Sequence, residues 1–445
     1  MKFKKITALL LATGMVLAMT ACGGTKNTDK NAGKKDNNEG DTTSIDWTLG
    51  ADDSQGDITL EMALINESER EVYTELAKRF KEKYDWIDIE FDIVGNQSVY
   101  YNNLNADLIS GTAADVFVSH TGSTMLELIE NGYVAPQSDF NYLENYSEQA
   151  KETTYVGDVN YAFLDSYNYF GFIYNKDQFA KAGVSAPKTS EEFYDVVAKL
   201  TKAGFGKVMV AGKTWTNQFG RAIMMCELGT NGYKELRAGI DNGSITDITT
   251  YPGVSDAINT MQGMVDNEVF YDGYEGTENS AALTLFTQGK TPIIFGGTFV
   301  FADKDSYFPG INAGFFPIPT GSGNGVSYAE CGHAKLINAA TKYPGAAKLW
   351  IEFLAESEQN EYYCIDRQTM STIAGVNPDF AEKENITANV TDYALVPLEN
   401  LQNDEYWTQR FNTLLKGILF EDKSRAEDLL KIFKSQLEES DLANK

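Results

Sequence analysis

Histidine is almost missing from this chain, present only as His120 and His333, which excludes an HExxH motif and most histidine-based zinc sites. Cysteine is nearly as scarce. Apart from Cys22 the chain has Cys226, Cys331 and Cys364, an odd and scattered set that allows neither a complete disulfide framework nor a metal spacing. Their expected role is as small buried hydrophobes. Basic residues number 37 against 64 acidic, for a formal charge of −27, and that balance argues against nucleic acid, whose phosphates demand basic surface. Beyond the N-terminus no run is long and apolar enough to span a membrane.

Enzyme signatures are missing too. Gly289-Lys290-Thr291 ends like a P-loop, but Thr284 stands where the first glycine belongs and the preceding residues read as amphipathic helix. Gly325-Val326-Ser327-Tyr328-Ala329 falls short of a nucleophile elbow, because its last residue is Ala and no strained strand-turn-helix is indicated around Ser327. A glycosidase carboxylate pair cannot be singled out among sixty-four scattered acids. Nothing suggests a metal or another cofactor.

What is present begins at the N-terminus. Lys2, Lys4 and Lys5 precede an apolar run from Ala8 to Ala18, and Met19-Thr20-Ala21-Cys22 closes it with small residues and a cysteine. Residues 1–21 are therefore expected to be a lipoprotein signal peptide, with Cys22 the lipidated first residue of the mature chain. Removing the signal takes away three lysines and no acid, so the formal charge becomes −30. Residues 22–56 open with Gly, Asn, Asp and Lys and almost nothing apolar, and read as a disordered tether. The chain is expected on the extracellular face of a bacterial cell membrane, held there by lipid alone.

From residue 57 the pattern is that of a folded body. Ile58, Leu60, Met62 and Leu64 alternate with polar or small residues, as do Ile87, Ile89, Phe91 and Ile93, and Asp115–Ser119 reads as a buried strand. Between them Val72, Leu76 and Phe80 fall on one helical face, and Tyr101, Leu104 and Leu108 mark a second helix. Helix Thr124–Asn131, closed by Gly132, completes a β-α-β-α-β-α series, which predicts a parallel sheet. Ligands in such sheets sit beyond the carboxyl ends of the strands. That rule points at Glu67 after the first strand, and at His120 and Thr121 after the third.

The stretch Tyr169–Gly183, YFGFIYNKDQFAKAG, is an aromatic strand running into a short helix with a glycine exit. Thr189 and Glu192 then form a capping box, further helices are expected near Ser255–Asn267 and Glu278–Gln288, and Pro292–Phe295 reads as a strand leading into Gly296-Gly297-Thr298-Phe299. About 424 mature residues call for more than one core.

The wording Y-N-K-D-x-F-x-K-A-G at Tyr174–Gly183 resembles extracellular solute-binding proteins of the maltose-binding type, which serve sugar ABC importers. Three later stretches extend the resemblance: Phe286-Thr287-Gln288-Gly289-Lys290 followed by the GGTF turn, Ile337-Asn338-Ala339-Ala340 with Glu356-Ser357-Glu358-Gln359 beyond it, and Tyr406-Trp407. The family implies a two-lobed α/β fold of the type II periplasmic-binding-protein kind, each lobe a mostly parallel sheet flanked by helices, joined by a hinge that the chain crosses several times. By that analogy one lobe comprises 57–170 plus 332–382 and the other 171–331 plus 383–445.

The resemblance also implies a function. The chain is expected to be a monomeric, non-enzymatic receptor that captures a carbohydrate, expected to be an oligosaccharide, and hands it to ABC transporter permease subunits. Sugars lay their C–H faces on aromatic rings while polar side chains pair their hydroxyls. On that ground Trp407, Phe299 and Trp215 are candidate stacking residues, with Asn168 and Asn217 as polar partners. Gly212–Gln218 is read as a loop and Gly296-Gly297 as a flexible turn. Two other readings stay open, a surface glycoside hydrolase and a receptor for a peptide or polyamine.

Overall fold

The computed structural model describes residues 45–241, 244–245 and 251–396, without the side chains at 217, 240 and 241. In chain order the first part contains β1 (Ile58–Leu64), α1 (Arg70–Lys83), β2 (Ile87–Ile93), α2 (Gln97–Ser110), β3 (Val116–Ser119), α3 (Ser123–Glu130), α4 (Glu148–Glu152), β4 (Tyr155–Val156) and β5 (Val159–Asn160). A long strand, β6 (Ser166–Asn175), leads into α5 (Lys176–Ala182), α6 (Ser190–Lys202), β7 (Val208–Met209), α7 (Gly212–Asp241), α8 (Pro252–Asp266), α9 (Asn279–Thr287), β8 (Ile293–Gly297), α10 (Lys304–Tyr307), β9 (Ala313–Phe316) and β10 (Val326–Cys331). The last described elements are β11 (Ala334–Ile337), α11 (Pro344–Leu354), α12 (Ser357–Asp366), β12 (Met370–Ser371), α13 (Lys383–Thr387) and β13 (Asp392–Ala394).

The alternation along β1 puts Ile58, Leu60 and Met62 in the core and leaves Thr59 and Glu61 exposed. β1 pairs parallel with β2 and with β3, while β11 closes the order β11-β3-β1-β2 antiparallel to β3. The predicted face of α1 is the buried one. Val72, Leu76 and Phe80 lie on this core, and Phe80 meets Trp350 of α11 edge-on, ring centroids 5.1 Å apart, a geometry that aromatic quadrupoles favour. Residues 45–51, placed in the tether on composition, pack against this lobe instead. Trp47 makes an edge contact with Phe140 at 5.3 Å, and the Gly345 N–H donates to Leu49 O at 2.9 Å.

The second sheet departs from the expectation of a mostly parallel arrangement. Its order is β13-β10-β6-β8-β7, with β9 and β12 also on β6. β6 is antiparallel to β8, β9, β10 and β12, and only the β7–β8 and β10–β13 pairs are parallel. The reason lies in the partners, which return to β6 from far along the chain rather than through successive βαβ units. Gly171 is required here, since a Cβ would lie 2.7 Å from Phe316 O on the neighbouring β9. Gly183, at φ 70°, caps α5 by donating to the carbonyls of Ala180 and Phe179, the left-handed exit that glycine adopts without strain.

Each sheet carries its own core. One is built from residues between Ile58 and Leu164 together with Ala334–Ile373, and the other mainly from residues between Tyr167 and Ala329 together with Phe380, Ile386, Ala394 and Leu395. The chain therefore passes between cores at Leu164–Tyr167, at Ala329–Ala334 and at Ile373–Phe380, and Met370 of β12 also reaches the second core from between Cys364 and Ile373 of the first. Ser327 is a fully buried residue of β10, which removes it from consideration as a nucleophile. No described helix is long and apolar enough to cross a membrane.

Candidate functional site

Where the chain crosses between cores, β6 and β10 pair with Asn168 opposite Glu330 and Phe170 opposite Tyr328. Directly opposed residues project to the same face of a sheet, so these four side chains share one face, with Phe170 and Tyr328 buried in the core and Asn168 and Glu330 half-buried. The Tyr328 hydroxyl donates to Glu330 Oε1 at 2.6 Å and is also bonded by Arg221. Thr298, just past the end of β8, donates its hydroxyl to Asn168 Oδ1 at 3.3 Å and accepts from the Tyr169 N–H at 3.1 Å.

Toward the second core this surface becomes aromatic. The Phe170 ring lies 6.0 Å from Trp215 and 6.1 Å from Phe299, and those two are 6.4 Å apart. Trp215 is fixed by its indole N–H, which donates to Asn279 Oδ1 at 2.8 Å. Phe299 keeps 37% of its surface exposed. For a large apolar ring beside two others, that exposure leaves a face open to a partner.

Toward the first core the surface ends in imidazoles. His120 follows β3, His333 precedes β11, and their rings are 4.9 Å apart. Tyr101 of α2 lies 5.9 Å from His120 and its hydroxyl accepts the His120 backbone N–H at 2.8 Å. Burial depresses the His120 pKa, against the opposing pull of the Glu330 carboxylate. His333 falls to about 3, chiefly through burial and then through the charges of His120 and Lys335, with Asp165 opposing. Both rings are therefore neutral near pH 7 and present hydrogen-bonding nitrogens without charge.

The sequence-predicted residues divide accordingly. Asn168 bonds Thr298, the neighbour of Phe299 that stands beside Trp215, while His120 lies near Glu330, which pairs opposite Asn168, and Thr121 follows His120, half-buried. Glu67 stands apart from these residues. It is exposed and paired with Arg70, its Oε2 3.0 Å from Nη2, whereas its neighbour Glu69 is buried and accepts from the Tyr363 hydroxyl at 3.0 Å. The stretch 212–218 opens α7 rather than forming a loop, and Gly296-Gly297 are paired strand residues rather than a flexible turn. Asn217 lies in α7 with its side chain undescribed, while Trp407 and Cys22 lie outside the described residues.

Glu330 and His333 were missed as site residues. Their signal was available, since both lie within the Ala329–Ala334 passage, beside the 331/332 lobe boundary that the resemblance implies. No group of three or more His, Cys, Asp or Glu side chains suited to a metal ion occurs among the described residues. A separate recess of about 380 Å³ lies at edge strand β13, lined by Glu148, Glu152, Thr230, Val326, Asp392 and Tyr393 among others. It shares no residue with the candidate site.

Residues 66–361 match the family described as bacterial extracellular solute-binding protein. The chain belongs to that family. Its relatives include an uncharacterised ABC transporter extracellular-binding protein of Pyrococcus horikoshii, 24% identical over 311 residues, which are 66% of this chain and 67% of that protein. The multiple sugar-binding protein of Streptococcus mutans is 22% identical over 293 residues, 62% of this chain and 66% of that one. The chain thus spans about two thirds of the length of the curated relatives it matches.

Solved structures of solute-binding proteins align over nearly their whole length. Apo RafE of Streptococcus pneumoniae superposes with a TM-score of 0.69 at 22% identity, over 86% of this chain and 98% of that one. A chitin oligosaccharide binding protein gives a TM-score of 0.65 at 18% identity, over 86% and 98%. At such identities the likeness establishes the two-lobed type II fold of these solute-binding proteins. In this solute-binding protein Trp215 packs against the second core, whereas His120 and His333 lie at the ends of β3 and β11 in the first sheet.

Proposed function

We propose that this solute-binding protein is a lipid-anchored extracellular receptor that captures a carbohydrate between its lobes and delivers it to the permease of an ABC importer. One observation carries the reading: aromatic rings at the second-lobe end, Asn168 and Glu330 where the cores meet, and neutral imidazoles at the first-lobe end follow one another along neighbouring elements. A sugar needs that combination, with rings for its C–H faces and neutral donors and acceptors for its hydroxyls. Trp215, Phe299, Asn168, His120 and Thr121 are the proposed contacts, joined by Trp407 and Asn217. The lobes are taken as 57–170 plus 332–382 and 171–331 plus 383–445. Relatives support the choice of ligand class, since RafE has been solved in complex with raffinose and another relative is a chitin oligosaccharide binding protein. Cys22 is the proposed lipidation site.

A thermal-shift screen of residues 22–445 tests the reading, using mono- and oligosaccharides beside peptides and polyamines. A ligand at 100 times its dissociation constant stabilises by about 2.7 kcal/mol, which is readily seen as a rise in Tm. A selective rise with one sugar class, the sugar being recovered intact, is expected. A response confined to peptides or polyamines, or recovery of cleaved sugar, overturns it. Separately, Cys22→Ala is expected to move the protein from the membrane fraction to the medium.

A further inference from the structure

The two histidines of this chain lie more than two hundred residues apart in sequence and meet ring to ring at 4.9 Å. Both are pinned through their backbones. The His120 N–H donates to the Tyr101 hydroxyl at 2.8 Å, and its carbonyl accepts from the Ser119 hydroxyl at 3.0 Å. The His333 carbonyl accepts from Lys335 Nζ at 2.9 Å, and the preceding Gly332 N–H donates to Ser166 O at 3.0 Å. Lys335 is itself held by Asp165 in an ion pair whose side chains are 1% and 5% exposed.

Rigid support on this scale preorganises a binding group, because little is lost in ordering it when a ligand arrives. The rings themselves are unclaimed, since neither imidazole has a hydrogen-bond partner among the described residues. Both residues are half-buried rather than fully buried, so part of each remains within reach of a ligand. Polar atoms on such half-buried rings take their partners from water or from a ligand that displaces it.

The charges nearby restrict what that partner can be. Glu330 sits beside His120 and holds one oxygen in the Tyr328 hydroxyl bond. Among the described residues Lys335 is paired with Asp165 and Lys213 with Glu278 at 3.3 Å, while Arg221 bonds the Tyr328 hydroxyl next to Glu330. A carboxylate or sulfate brought here would lose its hydration facing a carboxylate and two uncharged rings, and among the described residues the cation beside those rings, Lys335, is already paired with Asp165. A hydroxyl can donate to one imidazole nitrogen and accept from another, so it pairs without a charge penalty.

We propose that His120 and His333 form a hydroxyl-reading subsite at the first-lobe end of the cleft, which admits an uncharged sugar unit and rejects sugar acids, with His333 as the specificity-determining residue. The assignment rests on the carbohydrate reading given above. Calorimetric titrations of residues 22–445 test it, using a panel of neutral tri- and tetrasaccharides beside oligogalacturonates of the same lengths. At least one neutral sugar is expected to bind, with the oligogalacturonates at least a hundredfold weaker. His333→Phe, which keeps ring bulk and loses both nitrogens, is expected to weaken the neutral sugar at least tenfold. His333→Gln, which restores a donor and an acceptor, is expected to recover part of that loss. Glu330→Gln should narrow the gap between neutral and acidic sugars.

Failures of the two readings separate cleanly. If the panel is silent and a peptide or polyamine binds instead, the carbohydrate reading fails and takes the subsite with it. If a neutral sugar binds but both His333 variants, shown folded by an unchanged melting transition, bind it equally well, the subsite alone is overturned. Oligogalacturonates binding as tightly as neutral sugars also overturn the subsite alone. Should His333→Phe fail to fold, His333→Gln decides, with affinity equal to that of the parent overturning the assignment.

Discussion

Lys335 and Asp165 take two charges almost wholly out of water, at 1% and 5% side-chain exposure, and each needs more than the other to be satisfied there. The Tyr73 hydroxyl donates to Asp165 Oδ2 at 3.1 Å, and Lys335 Nζ donates onward to the His333 carbonyl. Removing one member of such a pair leaves an uncompensated buried charge, a loss of roughly 3–5 kcal/mol. Lys335→Met is therefore expected to lower the unfolding free energy in urea by about that amount. Adding Asp165→Asn should recover part of it, and a cost below about 1 kcal/mol for Lys335→Met would contradict the pairing.

At the same scale His333 makes stability depend on pH. Its folded pKa of about 3 lies below the unfolded value of about 6.5, so between those values the unfolded chain binds the extra proton. The contribution is complete above pH 6.5 and is lost as pH falls toward 3. About 1.4 kcal/mol is lost for each unit of that window, less whatever solvent reaching the half-buried ring restores. His333→Gln should show a shallower fall in Tm between pH 7 and pH 4 than the parent, and parallel curves would remove the ring as the cause.

Among the elements, α6 shows most plainly how local sequence becomes structure. The Thr189 hydroxyl oxygen accepts the Glu192 N–H at 3.2 Å, and Glu192 Oε2 accepts the N–H groups of Lys188 at 2.8 Å and Thr189 at 3.4 Å. Thr189→Ala leaves first-turn donors without their partner and is expected to cost about 1 kcal/mol, measured by thermal unfolding at constant pH. This reciprocal pair was legible in sequence because its two members are three residues apart, and β1, α1, β2 and β3 were legible for the same reason. The second sheet was not, because its pairings join Phe170 to Gly297 and Phe172 to Phe316, and no local period encodes such distances. Trp215 misled for a related reason. The β-branched and polar residues Thr214, Thr216 and Asn217 favour a loop, yet burial of Phe219, Ala222 and Ile223 in the second core draws the stretch into α7. Of the candidate site, Phe299, Trp407 and Asn168 were proposed from the family resemblance and Trp215 from its polar neighbours. The His120–His333 pairing was not legible, since it exists only after β11 returns to pair with β3.

In the whole molecule the two ends of the candidate site belong to different cores. Trp215 packs against the second core, whereas His120 and His333 sit at the ends of β3 and β11 in the first sheet. A sugar long enough to touch both ends gains its full contact energy only when the lobes stand close together, so it draws the population toward that arrangement by its preference for it. Small-angle scattering is expected to show a smaller radius of gyration at saturating sugar than without it. Phe299→Ala removes an exposed ring from the second-lobe end and should weaken binding by roughly 1–3 kcal/mol, the scale of one aromatic anchor. The contraction should then appear only at proportionally higher sugar concentration and reach the same final radius, because the closed arrangement is unchanged and only its occupancy falls. Heat of binding without any contraction would place the sugar within a single lobe, and the hinge would then have no part in capture.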